Sequence, residues 1–388
     1  MHNIWITASS WLFIAFLASL ISIRTGVSVA LVEIILGVVA GNAWGFYTND
    51  WINFLASFGA VLLTFLAGAE IDPVSLRQHL RASLSIGTVA FLFPFLGVFI
   101  FVLYLAGWNY HQSLIGGIAL STTSVAVVYA VLVESGLNVS ELGKLILAAC
   151  FVNDLGTVLA LGGFFANFNK WMLVFAGATI FALCVLPTST RYLISWFGAE
   201  RVSEPEVKFL FLVLCGLGAL ATKAKSEAVL PAYLAGLVVA GVFHVDRILV
   251  NRMRSIAFAM LTPFYFIKAG LFVSISALLP SAWLVVILLA MKMATKFVGV
   301  WPLGAAFGLP LRERNYTTML MSTGLTFGTI SALFGLDHKI ISQGQYTVLV
   351  TVVILSAVVP TLIAERFFVP DFEHARMRLD AERVAAAD

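Results

Sequence analysis

Residues 118–130 read IALSTTSVAVVYA. Four hydroxyl side chains, Ser121, Thr122, Thr123 and Ser124, stand in a row inside an otherwise apolar run. Such side chains bond to nearby backbone groups and compete with the helical ladder, so this run is expected to unwind in its middle. Residues 321–333, MSTGLTFGTISAL, carry a matching interruption in the second half of the chain, with Ser322, Thr323, Gly324, Thr326, Gly328 and Thr329. The plainer reading of either stretch alone is close packing of helices through small residues. Two such interruptions in corresponding halves point instead to the binding site of a secondary transporter, because unwound backbone at membrane depth exposes carbonyls and half-helix ends to a substrate.

The surrounding composition requires a bilayer. Of 388 residues, 61% are hydrophobic and 11% charged, and mean hydropathy is +0.99. Soluble domains are about 45–50% apolar and about 25% charged. Soluble enzymes, nucleic-acid binders and secreted scaffolds are thereby excluded, and the long unbroken apolar runs do not alternate as barrel strands do. A spanning helix needs about 20 mostly apolar residues. Counting runs between polar breaks gives about thirteen: 4–23, 27–44, 51–71, 84–106, 114–133, 145–165, 172–186, 209–221, 229–243, 256–279, 283–307, 318–336 and 346–363. The expected class is therefore an all-α polytopic membrane protein. The first run lacks a basic leader and reads as a retained helix rather than a cleaved signal.

Lys and Arg in the loops set orientation. Arg24, Arg77, Arg81, Lys144, Arg191, Arg201, Lys208, Arg247, Arg252, Arg254, Arg312, Arg314 and the tail arginines fall in one set of alternate loops, about sixteen cations. Lys170, Lys223, Lys225 and Lys339, about four, fall in the other. The expectation is a multi-pass protein of the cell (inner) membrane with the N-terminus outside and the C-terminus, including a short tail over 369–388, in the cytoplasm. Cys150, Cys184 and Cys215 lie in apolar runs and read as small core residues.

Ionisable groups inside the runs are the candidates for chemistry, since each costs about 2.5–3.5 kcal/mol at mid-bilayer on insertion scales. Residues 148–160, AACFVNDLGTVLA, hold Asp154 halfway along the sixth run, with Asn153 beside it and Thr157 about one turn on. Carboxylate, amide and hydroxyl oxygens suit a hard monovalent cation. A carboxylate there can hold a proton or a cation, and not both well. The structural alternative is an Asn–Asp pair that glues helices. Lys292 and Lys296 sit four apart and share a helix face, although Lys292 can instead snorkel toward an interface. Lys268 lies beside Pro263 and Gly270 in TPFYFIKAGLFV. Glu33 in the second run could pair with a lysine or face a water cavity. Lys268, Lys292 and Glu33 are as readily structural as functional.

At these residues the chain resembles the monovalent cation:proton antiporter-2 family, the Kef/Nap type of sodium or potassium/proton exchangers. FGAVLLTFLAGAEIDP at 58–73 resembles its third-helix signature, ALSTTSVAVV at 119–128 its first discontinuous helix, and FVNDLGTV at 151–158 its ion-site helix. AYLAGLVVAG at 232–241 resembles its ninth-helix motif, and KFVG at 296–299 its Lys-x-x-Gly. The resemblance implies the sodium/proton antiporter fold: inverted repeats, two crossed broken helices at 121–124 and 322–329, a core region about 84–165 and 283–363, and a dimerisation region about 4–71 and 209–279. It implies elevator-like alternating access and a homodimer. Asp154 falls on the family's ion-binding carboxylate and Lys296 on its membrane lysine. Members with Asn at the position of Asn153 are usually linked to one-for-one exchange.

The expected function is exchange of Na⁺ or K⁺ for H⁺, without a cofactor. Asp154 is the shared site and sole metal-cation ligand of charge. Asn153, Thr157, Thr122 and Thr123 coordinate or orient it, Lys296 compensates charge, and Lys268, Lys292, Glu33, Thr323 and Thr326 are accessory. Two other readings fit the same chain: a symporter of an organic anion on this fold, and a non-transporting ion-sensing membrane subunit. No nucleophile–base pair or metal-ligand spacing supports an enzyme, and nothing supports nucleic-acid binding.

Overall fold

The computed structural model describes residues 4–25, 28–69, 80–135, 137, 140–165, 170–197, 204–224, 228–245 and 247–370. Within them the chain is almost entirely helical. The helices are α1 (Ile4–Thr25), α2 (Val29–Ala43), α3 (Asp50–Ala69), α4 (Leu80–Tyr104), α5 (Tyr110–Ser121), α6 (Val125–Glu134), α7 (Glu141–Phe164), α8 (Lys170–Phe197) and α9 (Pro205–Ala224). They continue with α10 (Val229–Val245), α11 (Arg247–Ile256), α12 (Thr262–Leu271), α13 (Ile275–Leu278), α14 (Ala282–Ala306), α15 (Leu311–Met321), α16 (Thr326–Asp337) and α17 (Gln343–Ile363). Among the described residues, ten helical stretches are long and apolar enough to cross a bilayer, and Val29–Ala43 and Val229–Val242 are shorter apolar helices. Each expected apolar run falls on a helical segment.

Several boundaries differ from the sequence expectation. The seventh run continues through Pro187 to Phe197, so Arg191 lies on an exposed helical turn rather than in a loop. The tenth run is not one helix. A π-helical turn at Ala257–Leu261 precedes α12, and the chain leaves the helix again at Phe272 before the one-turn α13. Pro263 stands at the start of α12; it has no N–H for the carbonyl one turn back, and a widened turn absorbs the mismatch. Cys150 is buried as expected, but Cys184 and Cys215 are exposed, on helices whose apolar character serves the surface of the protein rather than its centre. Glu70–Pro73, Arg77, Arg201, Lys225, Arg376, Arg378 and Arg383 lie outside the described residues.

The helices pack in two sets. In one, α4 lies against α5, α7 and α14, while α15, α16 and α17 close the other side. In the other, α2 lies against α1 and α12, and α3 against α10 and α12, with α8 and α9 outside. Without water to drive apolar association, close approach through small residues holds such interfaces. Between α3 and α10 the arrangement is reciprocal. A β-carbon on Gly68 would collide with the Tyr233 carbonyl, and one on Gly236 with the Phe65 carbonyl. Contacts between α7 and α10 join the two sets.

Candidate functional site

Both interrupted runs break where their hydroxyl side chains sit. After Ser121 the backbone turns extended, with Thr122 at φ −63° and ψ 153°. Ser121 Oγ donates to Ile118 O at 2.8 Å and Thr122 Oγ1 to Ala119 O at 3.1 Å, so the hydroxyls occupy the last carbonyls of α5. The second break repeats this. Ser322 Oγ donates to Thr318 O at 2.7 Å, and Thr323 Oγ1 to Leu320 O at 2.8 Å. The competition of side chain with ladder anticipated from sequence thus ends each half-helix.

The two gaps meet. Thr123 Oγ1 donates to Met321 O at 2.8 Å, and Ser124 N–H to Thr323 Oγ1 at 3.4 Å. Helix α7 runs against this crossing. Its Asn153 spans the first gap: the Thr123 N–H donates to Asn153 Oδ1 at 2.9 Å, and Asn153 Nδ2 donates to Ser121 O at 3.2 Å. Both ends of the amide are therefore engaged by backbone, which makes Asn153 a clamp on the gap. Thr157 Oγ1 donates to Asn153 O at 3.1 Å within α7.

Lys296 enters from α14 with no exposed surface. Its Nζ donates to Ser121 O at 2.9 Å and to Thr123 Oγ1 at 3.0 Å. Through Thr123 it reaches Met321 O as well, so one ammonium serves the carbonyl ends of α5 and α15, where a helix carries partial negative charge. Next to these groups lies Asp154, 2% exposed. Its Oδ1 is buried and, among the described residues, has no hydrogen-bond partner. Carboxylate and ammonium interact through space, although Lys296 bonds to the gap rather than to Asp154.

The structure brings together Asp154, Asn153, Thr157, Thr122, Thr123, Thr323, Lys296 and Lys292. Lys292 does not snorkel; it is fully buried and donates to Ser356 Oγ on α17 at 3.0 Å. Thr326 is half-buried at the start of α16, beyond the gap. Lys268 stands apart. Its Nζ pairs with Asp337 Oδ2 at 3.2 Å, joining α12 to the end of α16. That pair lines a cavity of about 430 Å³ together with Ser57, Leu214, Tyr265, Ile330 and Leu333. Glu33 is buried on α2, which packs on α1 and α12, and among the described residues its Oε2 has no partner. Sequence reasoning missed Ser356, the Asp337 partner and Tyr233, whose hydroxyl donates to Phe151 O at 3.0 Å beside the site. Only the tyrosine carried a signal, in the 232–241 motif.

A buried acid with an unengaged oxygen thus sits where two broken helices meet. The pattern of the family described as "Sodium/hydrogen exchanger, transmembrane" matches residues 12–369. The chain belongs to the sodium/hydrogen exchanger family. Among relatives of this exchanger, the Na(+)/H(+) antiporter of Enterococcus hirae is 26% identical, over 90% of this chain and 94% of the relative. The Na(+)/H(+)-K(+) antiporter GerN of Bacillus cereus is 24% identical, over 92% and 94%. The solved structure of the sodium proton antiporter MjNhaP1 from Methanocaldococcus jannaschii superposes with a TM-score of 0.69, at 15% identity, over 95% of this exchanger and 99% of that chain. The antiporter fold implied by the resemblance is thereby established for it.

Proposed function

We propose that this exchanger moves Na⁺ against H⁺ one for one, with Asp154 as the site both share. The observation that carries the reading is the buried Oδ1 of Asp154, unengaged beside Lys296 and the two gaps. A hard cation needs oxygen ligands; the carboxylate and the Thr157 hydroxyl, one turn apart on α7, offer them. A single carboxylate that gives up one proton to take one monovalent cation leaves the net charge of the site unchanged. Asn153 adds no second charge, which supports electroneutral exchange. Lys296 balances Asp154 when neither ligand is bound, so an empty ionised site is not prohibitively unstable. Differential occupancy by cation and proton on the two sides then drives exchange.

The set α4–α7 with α14–α17 moves as the transporting core, about 84–165 and 283–363, against a scaffold of about 4–71 and 209–279. The separate packing of the two sets supports this division, and so do the locked small-residue contacts inside the scaffold. The motion is elevator-like, carrying Asp154 between sides. The cavity bounded by Ser57, Tyr265 and Leu333 lies between the sets and serves as an entrance from the outer face, with the N-terminus outside and the C-terminus in the cytoplasm. Potassium is a second cargo, a reading supported by the relative named for Na⁺/H⁺–K⁺ exchange. The exposed Trp5, Phe13 and Phe16 of α1 suit a second copy in the bilayer, giving a homodimer.

The test is reconstitution in proteoliposomes with a trapped pH-sensitive dye. Wild type should collapse a pH gradient on addition of Na⁺, without dependence on imposed voltage. Asp154→Asn should abolish the response while inserting normally. Exchange retained in that variant would remove the basis of the reading.

A further inference from the structure

Lys292 lies one turn before Lys296 on α14, yet no step above uses it. The two ammoniums make different direct contacts. That of Lys296 bonds to Ser121 O in the first break. That of Lys292 points at the second, where it donates to Ser356 Oγ at 3.0 Å. Ser356 donates to Val353 O at 2.9 Å and lies 3.5 Å from Gly324 O.

Gly324 is the residue that shares this space. A β-carbon there would collide with Lys292 Nζ and would stand 3.1 Å from both Ser356 Oγ and Thr122 Oγ1. The ammonium, the Ser356 hydroxyl, the Gly324 α-carbon and the Thr122 hydroxyl thus fill one pocket that connects α14, α17 and both gaps. Among the described residues, no carboxylate stands within ion-pair reach of Lys292. The charged groups that act in its neighbourhood are Lys296 and, through it, Asp154. A fully buried ammonium with one hydroxyl acceptor is costly, and an apolar side chain of the same length would fill the space without that cost.

The geometry points to Lys292 as a positioning residue for cation exchange, holding the second gap against α17 through Ser356 and fixing the approach of Gly324 to Thr122. This role rests on the exchange reading above and deepens it. Lys296 bonds directly in the first gap and reaches the second through Thr123, Lys292 braces the second from α17, and the cation oxygens depend on both.

The test uses the full-length protein in proteoliposomes, with Na⁺-dependent exchange measured for wild type, Lys292→Met, Ser356→Ala and the double variant. Each single change should raise the apparent KM for Na⁺ about tenfold, more than it alters the maximal rate, since each removes the same charge-assisted hydrogen bond. The double variant should be no worse than the poorer single, because both act through one contact. If Lys292→Met does not fold, Ser356→Ala carries the test, since it leaves the lysine in place. An unchanged KM in the single variants, or effects that multiply in the double, would overturn this role alone. A wild-type protein without exchange would overturn both the role and the reading it rests on.

Discussion

Asn153→Ala tests how much the clamp on the first gap contributes. The change removes both ends of the amide. The Thr123 N–H, 2.9 Å from Asn153 Oδ1 and buried, is left without its acceptor. An unsatisfied buried donor costs about 1–3 kcal/mol. On the other side Ser121 O loses the Nδ2 donor but keeps the Lys296 ammonium at 2.9 Å, so that loss is about 0.5–1.5 kcal/mol. The gap is therefore destabilised by about 2–4 kcal/mol in all. Where only the ordered gap presents oxygens to the cation, apparent Na⁺ affinity falls with the population of that geometry, by up to several hundredfold (~700). The assay is dye-monitored exchange across a Na⁺ series, with thermal unfolding in detergent as the parallel readout. Asn153→Asp is the informative companion. Its carboxylate can still accept from Thr123 N–H but offers nothing to Ser121 O, so it should recover most of the stability lost in the alanine variant. Wild-type KM and wild-type melting in Asn153→Ala would refute the clamp, because two buried hydrogen bonds would then have been removed without consequence.

The other predictions address charge, competition, the cavity and packing. In Asn153→Asp vesicles, exchange should become sensitive to imposed voltage, because a second carboxylate no longer matches one cation to one proton. On the proposed sharing of Asp154 by proton and cation, lowering external pH should raise the apparent KM for Na⁺ while leaving the maximal rate nearly constant; pure loss of maximal rate would speak against a shared site. For the pair lining the cavity, Asp337→Asn should lower thermal stability more than Lys268→Met does. The first leaves a lysine side chain 5% exposed without its counter-charge; the second leaves a carboxylate 43% exposed and solvated. Gly68→Val should prevent accumulation of folded protein, since its β-carbon meets the Tyr233 carbonyl, whereas Gly218→Ala, which meets nothing within 4 Å, should express normally.

The fold was legible where chemistry interrupts monotony. Runs of apolar residues place the helices, and Ser121–Ser124 and Ser322–Thr323 place the breaks, because a hydroxyl that caps its own last turn acts locally. Asp154 and Lys296 stood out for the same reason: a charge in hydrocarbon needs an explanation. Partners across the sequence were not legible. Ser356 lies among many small residues of a long apolar helix, and nothing local marks it as the acceptor for Lys292. Asp337 sits at the end of a run and reads as a loop acid, though it neutralises Lys268. The roles of Asn153 divide similarly. Its proximity to the acid is a matter of neighbouring numbers, while its bonds to Ser121 and Thr123 depend on how α7 crosses α5. The extension of α8 to Phe197 escaped because Arg191 looked like the start of a loop, and helix ends exposed at a bilayer surface tolerate polar residues.

The interlock of α3 with α10 has a mechanical corollary. Glycine on each face seats the opposing backbone carbonyl, and the seat repeats on the other helix. Two surfaces keyed in this way resist sliding, since any translation along the axis lifts a carbonyl out of its notch. Any displacement of the kind proposed would then be routed through interfaces built from side chains, where rotamers can yield, with the keyed pair as the rail.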